Sequence, residues 1–210
     1  MHQTSRTGLD GVQLVLTWHL AEADVFASAN LGQMDAATDA GVIAGDPVLF
    51  TRNRLAIVVP SDNPAGITGL ADLATPDVAL VVAAPEVPVG QYAREAACRA
   101  AADPATYGDA FLDGFAANIV SNEDNVKAVV TKVQLGEADA GIVYTTDVTP
   151  DVAGDVQVIE IPDPVNVIAE YPIAPVEGGD AALATAFIAY VLGPDGQGTL
   201  AGAGFQSRQS

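Results

Sequence analysis

Three uncharged hydrogen-bond donors are the groups in this sequence whose spacing predicts chemistry. The run Val81-Val-Ala-Ala-Pro-Glu-Val-Pro-Val-Gly-Gln-Tyr-Ala-Arg-Glu95 takes a buried apolar strand through a tight Pro-Gly turn and straight into a helix. A helix start leaves its first N–H groups without intrahelical partners and carries the positive end of the helix dipole, so the N–H groups near Val89 form a seat for an oxyanion. The run Ala117-Asn-Ile-Val-Ser-Asn-Glu-Asp-Asn-Val-Lys-Ala-Val-Val-Thr-Lys-Val133 repeats the arrangement and places N–H groups near Val126. Ala138-Asp-Ala-Gly-Ile-Val-Tyr-Thr-Thr-Asp147 reads as a strand that carries the Tyr144 hydroxyl to its C-terminal end, the edge where α/β sheets collect ligands. Anion recognition is the chemistry such donors serve. The same residues also fit ordinary strand-turn-helix connections, and a Tyr closing a strand also serves by half-burying its ring, so the residues alone leave both readings open.

The elements that must position these donors follow from periodicity. Val126, Val129, Val130 and Val133 fall at i, i+3, i+4 and i+7, one apolar face of a helix, which Ser121 and Asp124 are expected to cap and Gly136 to end. Upstream, Asp24 to Ser28 reads as a strand, Leu31 to Ala40 as a helix stopped at Gly41, and Leu49 to Pro60 as an extended segment. Further elements are a strand at Val78 to Ala84 and a short strand within Asp151 to Pro164. The last are an extended run near Ile168 to Ala174 and a helix from Asp180 to Leu192, stopped by Gly193-Pro194. Gly202-Ala-Gly-Phe205 and a polar tail close the chain. Strands alternating with helices make the fold class α/β.

Several of these segments resemble the substrate-binding proteins of molybdate ABC-type uptake systems. The similarity is carried by Pro85-Glu-Val-Pro-Val-Gly-Gln-Tyr-Ala-Arg94, Gly136-Glu-Ala-Asp-Ala-Gly-Ile-Val-Tyr144 and Ala169-Glu-Tyr-Pro-Ile-Ala174. Ala23-Asp-Val-Phe-Ala-Ser-Ala-Asn30 lies upstream and Phe187-Ile-Ala-Tyr-Val-Leu192 downstream in matching order, so the resemblance runs from residue 23 to residue 205. It implies a type II periplasmic-binding-protein fold, two α/β lobes joined by hinge crossings. Residues 1–55 and 172–210 would form lobe 1, and 56–171 lobe 2. Residue by residue, it puts the oxyanion contacts on the backbone N–H of Val89, the backbone N–H of Val126 and the hydroxyl of Tyr144. The ligand it implies is molybdate or tungstate, held between the lobes and handed to the membrane permease of an ABC transporter. Molybdenum would then be bound as molybdate and not as a free metal cation. A periplasmic or extracytoplasmic monomer, associated with the membrane through the permease, is expected.

The departure from that pattern lies at the N-terminus. In the family a first strand and helix precede the Ala-Asp-Val-Phe motif and supply two further contacts from serine-bearing loops. Residues 1–22, with Val12-Gln-Leu-Val-Leu-Thr-Trp-His-Leu20, do not align to them. The first lobe is therefore expected to be incomplete and the signal sequence to lie upstream, and a non-binding fragment or a ligand-sensing module of the same fold are the alternatives.

Composition narrows the other classes. The chain has 210 residues, half of them apolar, enough for an alanine- and valine-rich core without disulfides. The single Cys98 lies in a helical pattern and is expected to pack as a small side chain. A net charge of −19 argues against nucleic acid, because neutralising phosphates takes lysines and arginines, and Lys127 and Lys132 are the only lysines. The two histidines, His2 and His19, fall in the unaligned N-terminus, so no Ser-His-Asp or Cys-His pair is assembled. No H-E-x-x-H or paired C-x-x-C spacing occurs. Asp72, Asp109, Asp139 and Asp147 fit solvated faces and turns, not a catalytic pair, so the chain is read as neither an enzyme nor a cofactor carrier, although an enzyme on this fold remains an alternative. No segment reaches the roughly 18 apolar residues of a membrane span.

Overall fold

The buried runs Leu55–Val59, Leu80–Ala83 and Ala140–Val143 are apolar at nearly every position, the pattern of strands covered on both faces. In the computed structural model, which describes residues 23–208, they lie side by side. His2, His19, the Val12 to Leu20 run and the expected loss of a first strand lie outside the described residues.

The strands are β1 (Val25–Ala27), β2 (Val48–Pro60), β3 (Leu80–Ala83), β4 (Ile119–Glu123), β5 (Ala140–Tyr144), β6 (Val156–Glu160) and β7 (Ile168–Pro175). The helices are α1 (Leu31–Asp39), α2 (Pro88–Ala101), α3 (Pro104–Tyr107), α4 (Phe111–Ala117), α5 (Val126–Gln134), α6 (Ala181–Leu192) and α7 (Pro194–Gly202). Short 3-10 turns at Leu70–Ala74 and Thr145–Asp147 follow β2 and β5.

The chain packs as two compact units. The first gathers the described residues up to Arg52 with Glu170–Gly202 and the end of the chain; the second holds Asn53–Ala169 and Ala203–Gln206. In the first, β1 pairs antiparallel with β7, Phe26 opposite Ala174. Met34 and Ala37 of α1, Ile173 of β7, and Ala184 and Ile188 of α6 are buried. Asp180 caps α6 by accepting from the N–H groups of Ala182 and Leu183, both at 3.0 Å.

In the second unit, β2 pairs antiparallel with β5 and β6, while β5, β3 and β4 run parallel in that order. Helix α5 packs on β3 and β5, and α2 packs on β3, β5 and α4. Its largest fully buried side chains include Leu55, Ile57, Leu80, Ile142 and Phe115, each contributing about 1.5 to 3 kcal/mol by leaving water.

Two expectations are corrected. Cys98 is exposed, because the buried stripe of α2 runs through Val89, Ala93, Ala96, Ala97 and Ala100 and position 98 falls off it. The cap of α5 is Asn125, whose Oδ1 accepts from Ala128 N at 3.0 Å. Ser121 belongs to β4, where its hydroxyl donates to Glu123 Oε1 at 2.5 Å and accepts from Lys132 Nζ at 3.0 Å. Gly193-Pro194 ends α6 as expected, and Pro194 also opens α7, since proline suits a first helical position.

Candidate oxyanion site

Parallel pairing decides which groups meet. Leu80 lies opposite Ala140 on one side, and Ala83 lies opposite Glu123 on the other. The C-terminal ends of β5, β3 and β4 therefore share one edge of the sheet, and the starts of α2 and α5 and the ring of Tyr144 all leave from it. All three sequence-predicted groups, Val89, Val126 and Tyr144, sit at that edge within the second unit.

Val89 is the second residue of α2 and only 2 % exposed. The N-cap, Val87, offers no side-chain acceptor, and its carbonyl takes the N–H groups of Gly90 and Gln91 at 2.9 and 3.1 Å. Pro88 contributes no N–H, so Val89 holds the earliest donor of the helix. Gly90 allows the first turn to lie against the end of β3: a Cβ there would stand 2.2 Å from Ala84 O and 2.3 Å from Ala83 O.

Val126 is the first residue of α5 and half-buried. Asn125 satisfies the donor of Ala128, which leaves Val126 and Lys127 as the first-turn N–H groups without an intrahelical acceptor by position. Neither α2 nor α5 has an acidic residue in its first turn.

Tyr144 closes β5 and is 8 % exposed. Its ring meets Tyr92 of α2 edge to face, with centroids 6.4 Å apart, so one aromatic contact ties the first strand-helix turn to the end of β5. Its N–H donates to Asp147 Oδ2 at 2.9 Å. Burial raises the Asp147 carboxyl above the usual aspartate range, against the opposing pull of that N–H and of the Lys127 charge. Behind this turn Asn53, fully buried, donates to Thr146 Oγ1 at 2.7 Å and accepts from Thr145 Oγ1 at 3.1 Å. A cavity of about 660 Å³ beside α5, lined by Lys127, Thr131, Thr146, Asp147 and their neighbours, includes none of Val89, Val126 or Tyr144.

Neutral donors of this kind suit recognition of an anion. The carboxylates are used structurally: Asp72 accepts from Thr68 and Gly69, and Asp139 accepts from Ala79 N at 2.8 Å. Among the described residues no group of three or more His, Cys, Asp or Glu side chains could hold a metal ion. No described helix is long and apolar enough to cross a membrane. Sequence reasoning missed Gly90, Tyr92 and Asn53 as supports of the site. Gly90 and Tyr92 had proximity to Val89 as their only signal and Asn53 had none, because close approach and a buried amide are tertiary facts.

The family model for bacterial extracellular solute-binding proteins matches residues 15–206. The chain is 38 % identical over 186 residues to the molybdate-binding protein ModA of Mycobacterium tuberculosis, covering 88 % of this chain and 66 % of that protein. It is 31 % identical to the Escherichia coli protein of the same name, covering 83 % of this chain and again 66 % of the relative. The chain thus spans just under two thirds of the relatives it matches. A Clostridium difficile structure described as the substrate-binding domain of a molybdenum ABC transporter superposes with a TM-score of 0.74 at 24 % identity, covering 97 % of this chain and 85 % of that one. The likeness bears out the α/β solute-binding fold expected from the sequence.

Proposed function

This chain belongs to the bacterial extracellular solute-binding protein family, and from that membership we propose that it binds a tetrahedral oxyanion of the molybdate class. The donors are the backbone N–H groups of Val89 and Val126 and the hydroxyl of Tyr144. The family is one of binding proteins, and the role is recognition without catalysis. One observation carries the reading: two helix starts without acidic first turns leave the same parallel sheet edge as a nearly buried tyrosine. An acidic N-cap would have occupied the helix dipole from within, as Asp180 does at α6, whereas the caps here are the uncharged Val87 and Asn125.

The relatives named for molybdate supply the ligand class. Tungstate, a tetrahedral dianion of nearly the same size, fits the same donors. Sulfate is smaller, and neutral donors fixed by packing discriminate against it by spacing, not by charge. Delivery to the permease of an ABC transporter, outside the cytoplasmic membrane and as a monomer, completes the proposal.

Thermal unfolding with and without millimolar sodium molybdate tests it, with sulfate and phosphate as controls. Ligand at about a thousand times its dissociation constant adds roughly 4 kcal/mol of stability, a rise of about 8 to 16 °C in a chain of this size. A rise with molybdate alone is expected. Cooperative unfolding at one unchanged midpoint in all four samples would refute the reading.

A further inference from the structure

We propose that Arg94 is the positioning residue of this oxyanion seat, one guanidinium that fixes both backbone-donor loops relative to each other. The inference rests on the proposed roles of Val89 and Val126. Arg94 Nη1 donates to Ala83 O at 2.9 Å and to Gly90 O at 2.7 Å, and Nη2 donates to Asn122 Oδ1 at 2.5 Å. Ala83 ends β3, Gly90 follows Val89, and Asn122 stands in β4 four residues before Val126. A single side chain therefore clasps the strand end beneath the first seat, the first turn of α2, and the strand that leads to the second seat.

Only arginine can make this clasp. Its planar fork presents donors in several fixed directions, while a lysine ammonium on the same stem reaches one or two acceptors as a point charge. The three acceptors lie at or near the ligand edge of the sheet, where bare carbonyl and amide oxygens would repel an anion; the guanidinium engages all three. Burial draws Arg94 below the ordinary arginine value and the nearby Glu86 charge opposes that; a guanidinium stays charged at neutral pH in proteins.

The test is calorimetric titration of wild type, Arg94→Lys and Arg94→Ala with sodium molybdate at 25 °C, alongside ligand-free thermal midpoints. A merely structural residue lowers the midpoint and leaves the affinity of the folded protein unchanged. A positioning residue lowers the affinity of protein that is fully folded at the assay temperature. Arg94→Ala is expected to bind about tenfold or more weakly, and Arg94→Lys about threefold or more weakly, the scale of one or two misaligned charge-assisted hydrogen bonds. Wild-type binding with both variants within about twofold of it overturns the inference while the oxyanion reading survives. No binding by wild type overturns both. Should Arg94→Ala not fold, Asn122→Ala removes only the exposed arm to β4: a loss of about threefold supports the clasp, and unchanged affinity overturns it.

Discussion

Replacing Gly90 by alanine tests the geometry of the first seat more sharply than removing any side chain. The added Cβ would stand 2.2 Å from Ala84 O and 2.3 Å from Ala83 O, both backbone atoms that cannot rotate away. Real Cβ contacts do not fall below 3.0 Å, so the first turn of α2 must lift from the end of β3 by roughly 1 Å. Such overpacking costs about 1 to 3 kcal/mol, against about 1 kcal/mol gained by placing Ala for Gly in a helix. A net loss of about 0 to 2 kcal/mol corresponds to a midpoint lowered by at most about 8 °C. The same displacement carries the Val89 N–H out of the window of about 0.5 Å within which an N–H···O bond is good. Losing one hydrogen bond to a charged ligand, about 1.5 to 3 kcal/mol, weakens molybdate binding by about ten- to a hundredfold in calorimetry. Gly114 in α4 supplies the control: its Cβ would stand 2.6 Å from Ala74 O, far along the chain from any proposed donor. Gly114→Ala should lose stability and keep its affinity. The reasoning fails if Gly90→Ala binds as wild type does, or if the two variants lose affinity equally.

Two further outcomes follow from the same structure. Tyr144→Phe keeps the ring that packs on Tyr92 and removes only the hydroxyl, so the midpoint should move by less than about 2 °C while molybdate affinity falls about tenfold; equal affinities measured calorimetrically would take Tyr144 out of the site. Glu123 is held below the usual glutamate range, first by the hydrogen bond from Lys132 at 2.7 Å and then by that from Ser121. A lowered folded-state value means stability that is present above the unfolded glutamate value and is lost as pH falls through the folded one. Lys132→Met should therefore cost about 0.5 to 1 kcal/mol in urea melts at pH 7, a figure kept small because both side chains are partly solvated, and nothing well below the ordinary glutamate range. A pH-independent difference would assign the loss to packing.

The parts legible in the sequence were those set by local periodicity. The valines of α5 and the unbroken apolar run of β3 predict their elements because burial on one or both faces dictates the pattern, and Pro88, expected in a turn before α2, proves to be its first residue. Where two local solutions compete, the sequence was ambiguous. Ser121 and Asn125 are both good N-caps, and β4 extends far enough along β3 to absorb Ser121, which leaves Asn125 to start the helix. Cys98 looked packed because α2 is rich in small residues, and only the direction of the sheet shows which stripe is covered. The supports of the candidate site were illegible for a stronger reason. Arg94 reaches residues 4, 11 and 28 positions away, and Asn53 reaches across more than ninety, distances over which a linear pattern carries no sign.

A net charge of −19 poses the hardest question for the proposed anion binding, and the placement of charge bears on it. Long-range repulsion is screened beyond roughly 8 Å at physiological ionic strength, so only carboxylates near the seat can oppose the ligand. Three acidic residues near the donors in sequence lie beside a cation or a donor, while Asp124, two residues before Val126, is exposed to screening solvent. Glu86 interacts with the Arg94 charge, Glu123 is paired with Lys132, and Asp147 Oδ2 accepts from Tyr144 N–H. The first turns of α2 and α5 carry none. On the proposed reading, an anion at the sheet edge would meet N–H dipoles at hydrogen-bonding distance, where their attraction outweighs a screened field from distant charges.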